Sequence, residues 1–102
     1  MHITEILSGA TGPTMSFEFF PPYTSEGRDR LNDTMAELAA CGPDFVSITY
    51  GAGGSTRDAT KQVVAHVKQR TVLNPIPHLT CVNHREEEID AILHHYAELG
   101  VN

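Results

Sequence analysis

The sequence predicts an α/β chain built from the first three βα units, plus the start of a fourth strand, of a (β/α)8 TIM barrel that is incomplete in this chain. Three observations predict it. Strand-like and helix-like stretches alternate as βαβαβα with no linker between them. The spacing is regular: Phe17 to Phe45 is 28 residues and Phe45 to Ile76 is 31, where a barrel of roughly 250 residues averages about 31 per unit. Side-chain alternation then sorts the strands into two unlike faces. Phe17, Phe19, Val46, Ile48, Leu79 and Cys81 make one face; Ser16, Glu18, Ser47, Thr49, His78 and Thr80 make the other. The alternative, a small doubly wound sheet, is covered by helices on both sides and should be apolar on both. One apolar and one polar face fit the barrel better.

Each element has a local reason. Ile3, Ile6 and Leu7 suggest a short helical packing segment, ended by Gly9, Gly12 and Pro13. Thr14 to Phe20 reads as the first strand, stopped by Pro21-Pro22 because proline cannot continue a ladder. Leu31, Met35, Leu38 and Ala39 recur on one face of a helix that Gly42-Pro43 ends. The β-branched and aromatic run Phe45 to Tyr50 is the second strand. Ser55-Thr56-Arg57-Asp58 reads as a capping box, and Ala59, Val63, Val64 and Val67 as the buried stripe of the next helix. Asn74-Pro75 breaks the chain before a third strand, Ile76 to Val82. Asn83-His84-Arg85-Glu86 repeats the cap logic before a face of Ile89, Ile92, Leu93, Tyr96 and Leu99, closed by Gly100. Val101-Asn102 begins another strand.

These 102 residues form a single domain, 1–102, amounting to about three of eight barrel units. Three parallel strands leave two open edges and a polar face uncovered. Such a chain is expected to be part of something larger or to pair with another copy as a homo-oligomer. Hydrophobic residues make up 40% and the formal charge is -6, which indicates a globular chain and argues against nucleic-acid and anionic-membrane binding. There is no basic n-region and no long apolar run, so neither a signal peptide nor a membrane span is read. Cys41 and Cys81 lack metal or redox spacing, and a cytoplasmic location with reduced thiols follows.

Chemistry concentrates at the strand ends. Ser16-Phe17-Glu18-Phe19-Phe20-Pro21-Pro22 sets one carboxylate in an apolar run. Desolvation among aromatics would raise its pKa and suit it to proton donation near neutral pH, whereas a partner base or an edge-strand position would make it merely structural. Glu18, Thr49, His78 and Thr80 share one face near the ends from which βα loops leave, where barrel enzymes keep their sites. Gly51-Ala52-Gly53-Gly54-Ser55-Thr56 is either a tight turn with an N-cap or a loop whose amides meet a ligand; it is neither a P-loop nor Gly-x-Gly-x-x-Gly. His78-x-x-Cys81-x-x-His84 invites a metal reading, but Cys81 would point away from His78 on a strand, so no metal is expected. His94 and His95 point in different directions on a helix and read as surface residues.

Three segments together resemble methylenetetrahydrofolate reductases: Phe17-Glu18-Phe19-Phe20-Pro21-Pro22, Val46 to Asp58, and Pro77-His78-Leu79-Thr80-Cys81. The resemblance covers nearly the whole chain and matches the N-terminal third of that family. It implies an FAD-binding barrel that takes electrons from NADH or NADPH and reduces 5,10-methylenetetrahydrofolate to 5-methyltetrahydrofolate, in one-carbon metabolism and methionine biosynthesis. It implies Glu18 as the general acid that assists opening of the folate's imidazolidine ring. Thr49, Tyr50, Ala52 and His78 match positions that contact the flavin or the nicotinamide stacked on it, where protein groups orient and tune the cofactor. Tyr23 stands where the family usually has a basic residue, and the family's Arg-Gly-Asp segment after the fourth strand is absent from these residues.

The rival reading is a non-catalytic fragment that serves only as a structural or interaction module. A different barrel flavoenzyme, such as one acting on proline, shares the architecture but has no reason to carry Phe-Glu-Phe-Phe-Pro-Pro.

Overall fold

The computed structural model describes residues 1–51 and 57–102. Its elements run α1 (Ile3–Gly9), β1 (Ser16–Phe19), α2 (Ser25–Ala39), β2 (Phe45–Ile48), α3 (Arg57–Arg70), β3 (Pro75–Pro77) and α4 (Glu86–Glu98). The strands form one parallel sheet in the order β1-β2-β3. In register, Glu18 lies beside Ser47 and Phe19 beside Ile48, while Ile48 lies beside Pro77. Among the described residues no helix is long and apolar enough to cross a membrane.

Parallel neighbours need a crossover, and α2 and α3 supply the two here. Crossovers of one hand that advance along a sheet without reversing lie on the same side of it. The core shows that side. Phe19, Val46 and Ile48 from the strands pack with Met35 of α2, Val63, Val64 and Val67 of α3, and Ile92 and Tyr96 of α4. Each such burial removes an aliphatic or aromatic side chain from water, about 1.5–3 kcal/mol apiece. The apolar strand face predicted from alternation is therefore the helix-packed face.

Backbone chemistry fixes the element ends. Thr24 caps α2, its Oγ1 accepting from the Gly27 N–H at 3.0 Å. At the end of α4 the Gly100 N–H donates to the Ala97 carbonyl and the Val101 N–H to the Tyr96 carbonyl, with Gly100 at φ +73. That pattern is a Schellman stop, and it folds buried Val101 back against the core beside Tyr96. Thr60, fully buried in α3, donates from Oγ1 to the Thr49 carbonyl at 3.0 Å and so ties that helix to the end of β2.

Several expectations need correction. The first two strands are shorter than their apolar runs, Ser16–Phe19 against Thr14–Phe20 and Phe45–Ile48 against Phe45–Tyr50. The third spans only Pro75–Pro77 rather than Ile76 to Val82. The Asn74 carbonyl and the His78 N–H both bond to β2, so the prolines between them direct their missing N–H groups away from it. Beyond His78 the chain turns: Thr80 Oγ1 accepts from the Val82 N–H at 3.1 Å, and Cys81 is exposed rather than packed under helices. The cap of α4 is Arg85, not Asn83, with the Glu88 carboxylate accepting from the Arg85 N–H at 2.7 Å. Leu93, expected on the buried face of α4, is 52% exposed. No residue of α1 is fully buried; of its predicted packing residues Ile3 and Ile6 are half-buried and Leu7 is 52% exposed. The predicted cap at Ser55-Thr56 lies outside the described residues, as does most of the glycine-rich loop.

Candidate active site

The helix-free face of the sheet gathers Glu18, Ser47 and His78, one from each strand or its end. Parallel register does this: Glu18 stands beside Ser47, and His78 follows β3 by one residue on the same side. Ser47 Oγ donates to Glu18 Oε2 at 3.3 Å, and His78 Nε2 lies 4.0 Å from the same oxygen. Ser47 is buried, whereas the side chains of Glu18 and His78 are 60% and 46% exposed. The aromatic enclosure expected around Glu18 is not found. Strand alternation sends Phe17 and Phe19 to the helical side, and Phe20, on the Glu18 side, is itself 57% exposed.

Thr49 and Tyr50 follow directly on β2. The Thr49 N–H donates to the Phe19 carbonyl at 2.9 Å, which continues the ladder by one bond. Its hydroxyl Oγ1 is buried and has no hydrogen-bond partner among the described residues. An unsatisfied buried hydroxyl costs about 1–3 kcal/mol and marks a place where a polar group is missing its match. Tyr50 turns the other way. Its buried phenol oxygen lies 2.6 Å from His84 Nε2, the rings meeting edge-on at 5.9 Å. Burial, the largest cause, raises the Tyr50 pKa, opposed by the nearby Arg57 guanidinium. Ala52 lies outside the described residues.

The structure thus brings Glu18, His78 and Thr49 to one end of the sheet and adds Ser47, which alternation had placed on that face without a role. Tyr50 is adjacent in sequence but aimed at α4. His84 was missed as a partner of Tyr50. The sequence signal it did carry, a spacing of three residues to Cys81 and six to His78, invited a shared-ion reading instead. In the structure His78 and His84 engage different partners, Glu18 and Tyr50.

A charged set gathers around His84 at the N-terminal ends of α3 and α4. Glu88 accepts the Arg85 N–H, and its other oxygen lies 3.7 Å from Arg57 NH1. The backbone hydrogen bond from Arg85 is the main reason its carboxyl is held below the usual glutamate value, with Arg85, Arg57 and His84 adding to it against some desolvation.

Comparison with known proteins gives a consistent picture. The family model described as methylenetetrahydrofolate reductase matches residues 2–102. A 5,10-methylenetetrahydrofolate reductase of Pectobacterium carotovorum subsp. carotovorum is 41% identical over 87 residues, covering 85% of this chain and 29% of that protein. A probable methylenetetrahydrofolate reductase (NADH) of Oryza sativa subsp. japonica is 44% identical over 87 residues, 84% of this chain and 15% of its own length. Methylenetetrahydrofolate reductase (NADH) 1 of Zea mays is 38% identical over 104 residues, 99% of this chain and 18% of its own. The chain spans less than a third of the length of these relatives. With a family match from the second residue to the last, and with Glu18, Thr49 and His78 at one end of a parallel sheet, the chain belongs to the methylenetetrahydrofolate reductase family.

Proposed function

We propose that these residues form the N-terminal part of an FAD-binding (β/α)8 barrel that reduces 5,10-methylenetetrahydrofolate to 5-methyltetrahydrofolate with electrons from a nicotinamide. The single observation that carries the reading is the convergence of Glu18, Ser47 and His78 on the sheet face opposite the helices. A strand order of β1-β2-β3 with its crossover helices packed on one face fits the start of a barrel wall, and the polar face would then be its lumen. The relatives from rice and maize carry NADH in their names, which favours NADH as the reductant here.

The residues present fit a flavin. Thr49 offers a buried hydroxyl with no partner among the described residues at the strand end. Thr49 and His78 would hold the ring system, with the backbone at Tyr50 and, outside the described residues, Ala52 as the further contacts that the family resemblance implies. When bound, FAD supplies hydride transfer from the nicotinamide to the folate. The chain's own residues manage the proton. Glu18 hands it to the nitrogen released as the folate's imidazolidine ring opens, and Ser47 then stabilises the carboxylate by donating to Oε2. The Glu18 side chain is 60% exposed, and a bound substrate would cover it from water.

The test uses a protein of the relatives' full length that carries this sequence. Glu18→Gln should leave NADH-dependent flavin reduction intact and abolish folate reduction. Equal loss in both half-reactions would remove Glu18 from the proton-donor role, and a full-length protein that binds no FAD would end the proposal.

A further inference from the structure

We infer that His84 is a positioning residue for Tyr50, a buried imidazole at the start of α4 that accepts the phenol's hydrogen bond and fixes the end of β2 where the cofactor is read to sit. The inference rests on the reading of Tyr50 as a cofactor contact, and goes beyond it by assigning the group that holds Tyr50 in place.

The geometry is specific. The His84 side chain is only 4% exposed, although the residue precedes a helix whose first turn is Glu86-Glu87-Glu88. Asn83, at φ 59, takes the left-handed turn that carries the chain into His84. Nε2 lies 2.6 Å from the Tyr50 hydroxyl, a short hydrogen bond. A phenol donating to Nε2 requires the neutral imidazole with its proton on Nδ1. Nδ1 is buried and makes no hydrogen bond among the described residues, but Glu88 Oε2 is the anion nearest to it, at 4.0 Å. That oxygen is itself pinned by the Arg85 N–H, and the other oxygen of Glu88 faces Arg57 from α3. Tyr50 is thus the end of a chain of contacts, His84 to Glu88 to Arg57, that spans the N-terminal ends of α3 and α4.

A purely apolar pair would fill the same space at less cost. Burying an imidazole whose Nδ1 has no partner among the described residues is unfavourable, and a phenol does not need an imidazole to pack. What the pair supplies is direction: one acceptor at one distance holds the ring of Tyr50 in a single orientation next to Thr49. An induced or adaptable contact would not need it.

The test uses the full-length protein that carries this sequence, first without added flavin. Long-range proton–nitrogen spectra of 15N-labelled protein should show His84 with a protonated Nδ1 and a bare Nε2, and Tyr50→Phe should shift that Nε2 resonance. His84→Gln, whose Oε1 can replace Nε2 as acceptor, should preserve a slowly exchanging Tyr50 hydroxyl proton. His84→Phe, which fills the volume without an acceptor, should lose it. A protonated Nε2, an Nε2 indifferent to Tyr50→Phe, or equal behaviour of the Gln and Phe variants would overturn the assignment. If His84→Phe does not fold, Tyr50→Phe reports the same bond from the other end. None of these readouts contains a flavin, so they judge the pair separately from the reading of the site. In the full-length protein, His84→Phe and Tyr50→Phe should each weaken FAD binding about tenfold, roughly the effect of one lost hydrogen bond, with His84→Gln close to wild type. A pair present in the spectra but without effect of His84→Phe on FAD affinity would overturn the positioning role, whereas Tyr50→Ala with unchanged FAD affinity would overturn Tyr50's place at the cofactor.

Discussion

His78 Nε2 and Glu18 Oε2 lie 4.0 Å apart although their strands are not neighbours. β2 runs between them, and its Ser47 hydroxyl donates to the same carboxylate oxygen at 3.3 Å. A small side chain on the central strand is what permits the approach. A larger residue at that register position would stand between the two outer strands and separate the acid from the imidazole.

Ser47→Ala keeps that opening and removes the donor. In the full-length protein it should slow folate reduction by about three- to tenfold, the effect of one partly exposed hydrogen bond, and leave NADH-dependent flavin reduction unchanged. Half-reaction kinetics decide it. Equal slowing of both would show that Ser47 acts on the cofactor or the fold instead of on Glu18.

Gly27→Ala tests how the double proline meets α2. Alanine is normally the better helix residue, by roughly 0.5–1 kcal/mol. Here an added Cβ would fall 2.8 Å from Pro22 Cβ and 3.0 Å from the capping Thr24 Oγ1. Pro22 is a ring in a segment whose neighbour Pro21 is fully buried, so it has little room to give. The substitution should therefore destabilise the chain, by about 1–3 kcal/mol. A raised urea midpoint would show that the proline segment yields.

Glu88→Gln tests the cap of α4 and its pH dependence. The Glu88 carboxyl is held below its ordinary 4.5 chiefly by the Arg85 N–H. A depressed carboxyl adds stability above its unfolded value, and that stability is lost as pH falls through the folded one. The variant should be less stable than wild type at about pH 7, with the gap narrowing as pH falls below 4.5 toward the lowered folded value. Denaturant midpoints across that range measure this. A gap that persists undiminished in acid would point to the geometry of the cap and away from its charge.

What could be read in the sequence was whatever local periodicity controls. The i, i+4 and i+7 recurrences located Met35 and Val64 in the core, and alternation placed Glu18, Ser47 and His78 on a common face. Gly100 was legible as a stop because only a left-handed residue completes that helix end. The misses are tertiary. A carboxylate amid three phenylalanines looks desolvated in one dimension, yet the pleat sends two of those rings through to the other side. The apolar run Ile76 to Val82 looks like a strand, but past His78 it turns, with Thr80 bonding locally to the Val82 N–H. His84 shows the limit most clearly, since its partner is 34 residues away and no spacing rule connects them.

Tyr96→Phe is the substitution for which burial and ionisation make separate predictions. The Tyr96 ring belongs to the core, but its hydroxyl is buried with no hydrogen-bond partner among the described residues. Phenylalanine keeps the ring and deletes the orphan, so the variant should be as stable as wild type or up to about 1 kcal/mol more stable at neutral pH. Burial, and then the proximity of Tyr50, push the Tyr96 pKa from 10.0 up to about 12. A raised folded value means that this group's contribution is intact below 10.0 and is lost as pH rises toward about 12, because the unfolded chain ionises first. Wild type should therefore weaken through that window, and Tyr96→Phe should weaken less, with Tyr50 supplying the remaining slope. Urea unfolding across alkaline pH, followed by phenolate absorbance, separates the two. A Phe variant that is less stable at neutral pH would mean that the hydroxyl has a partner after all.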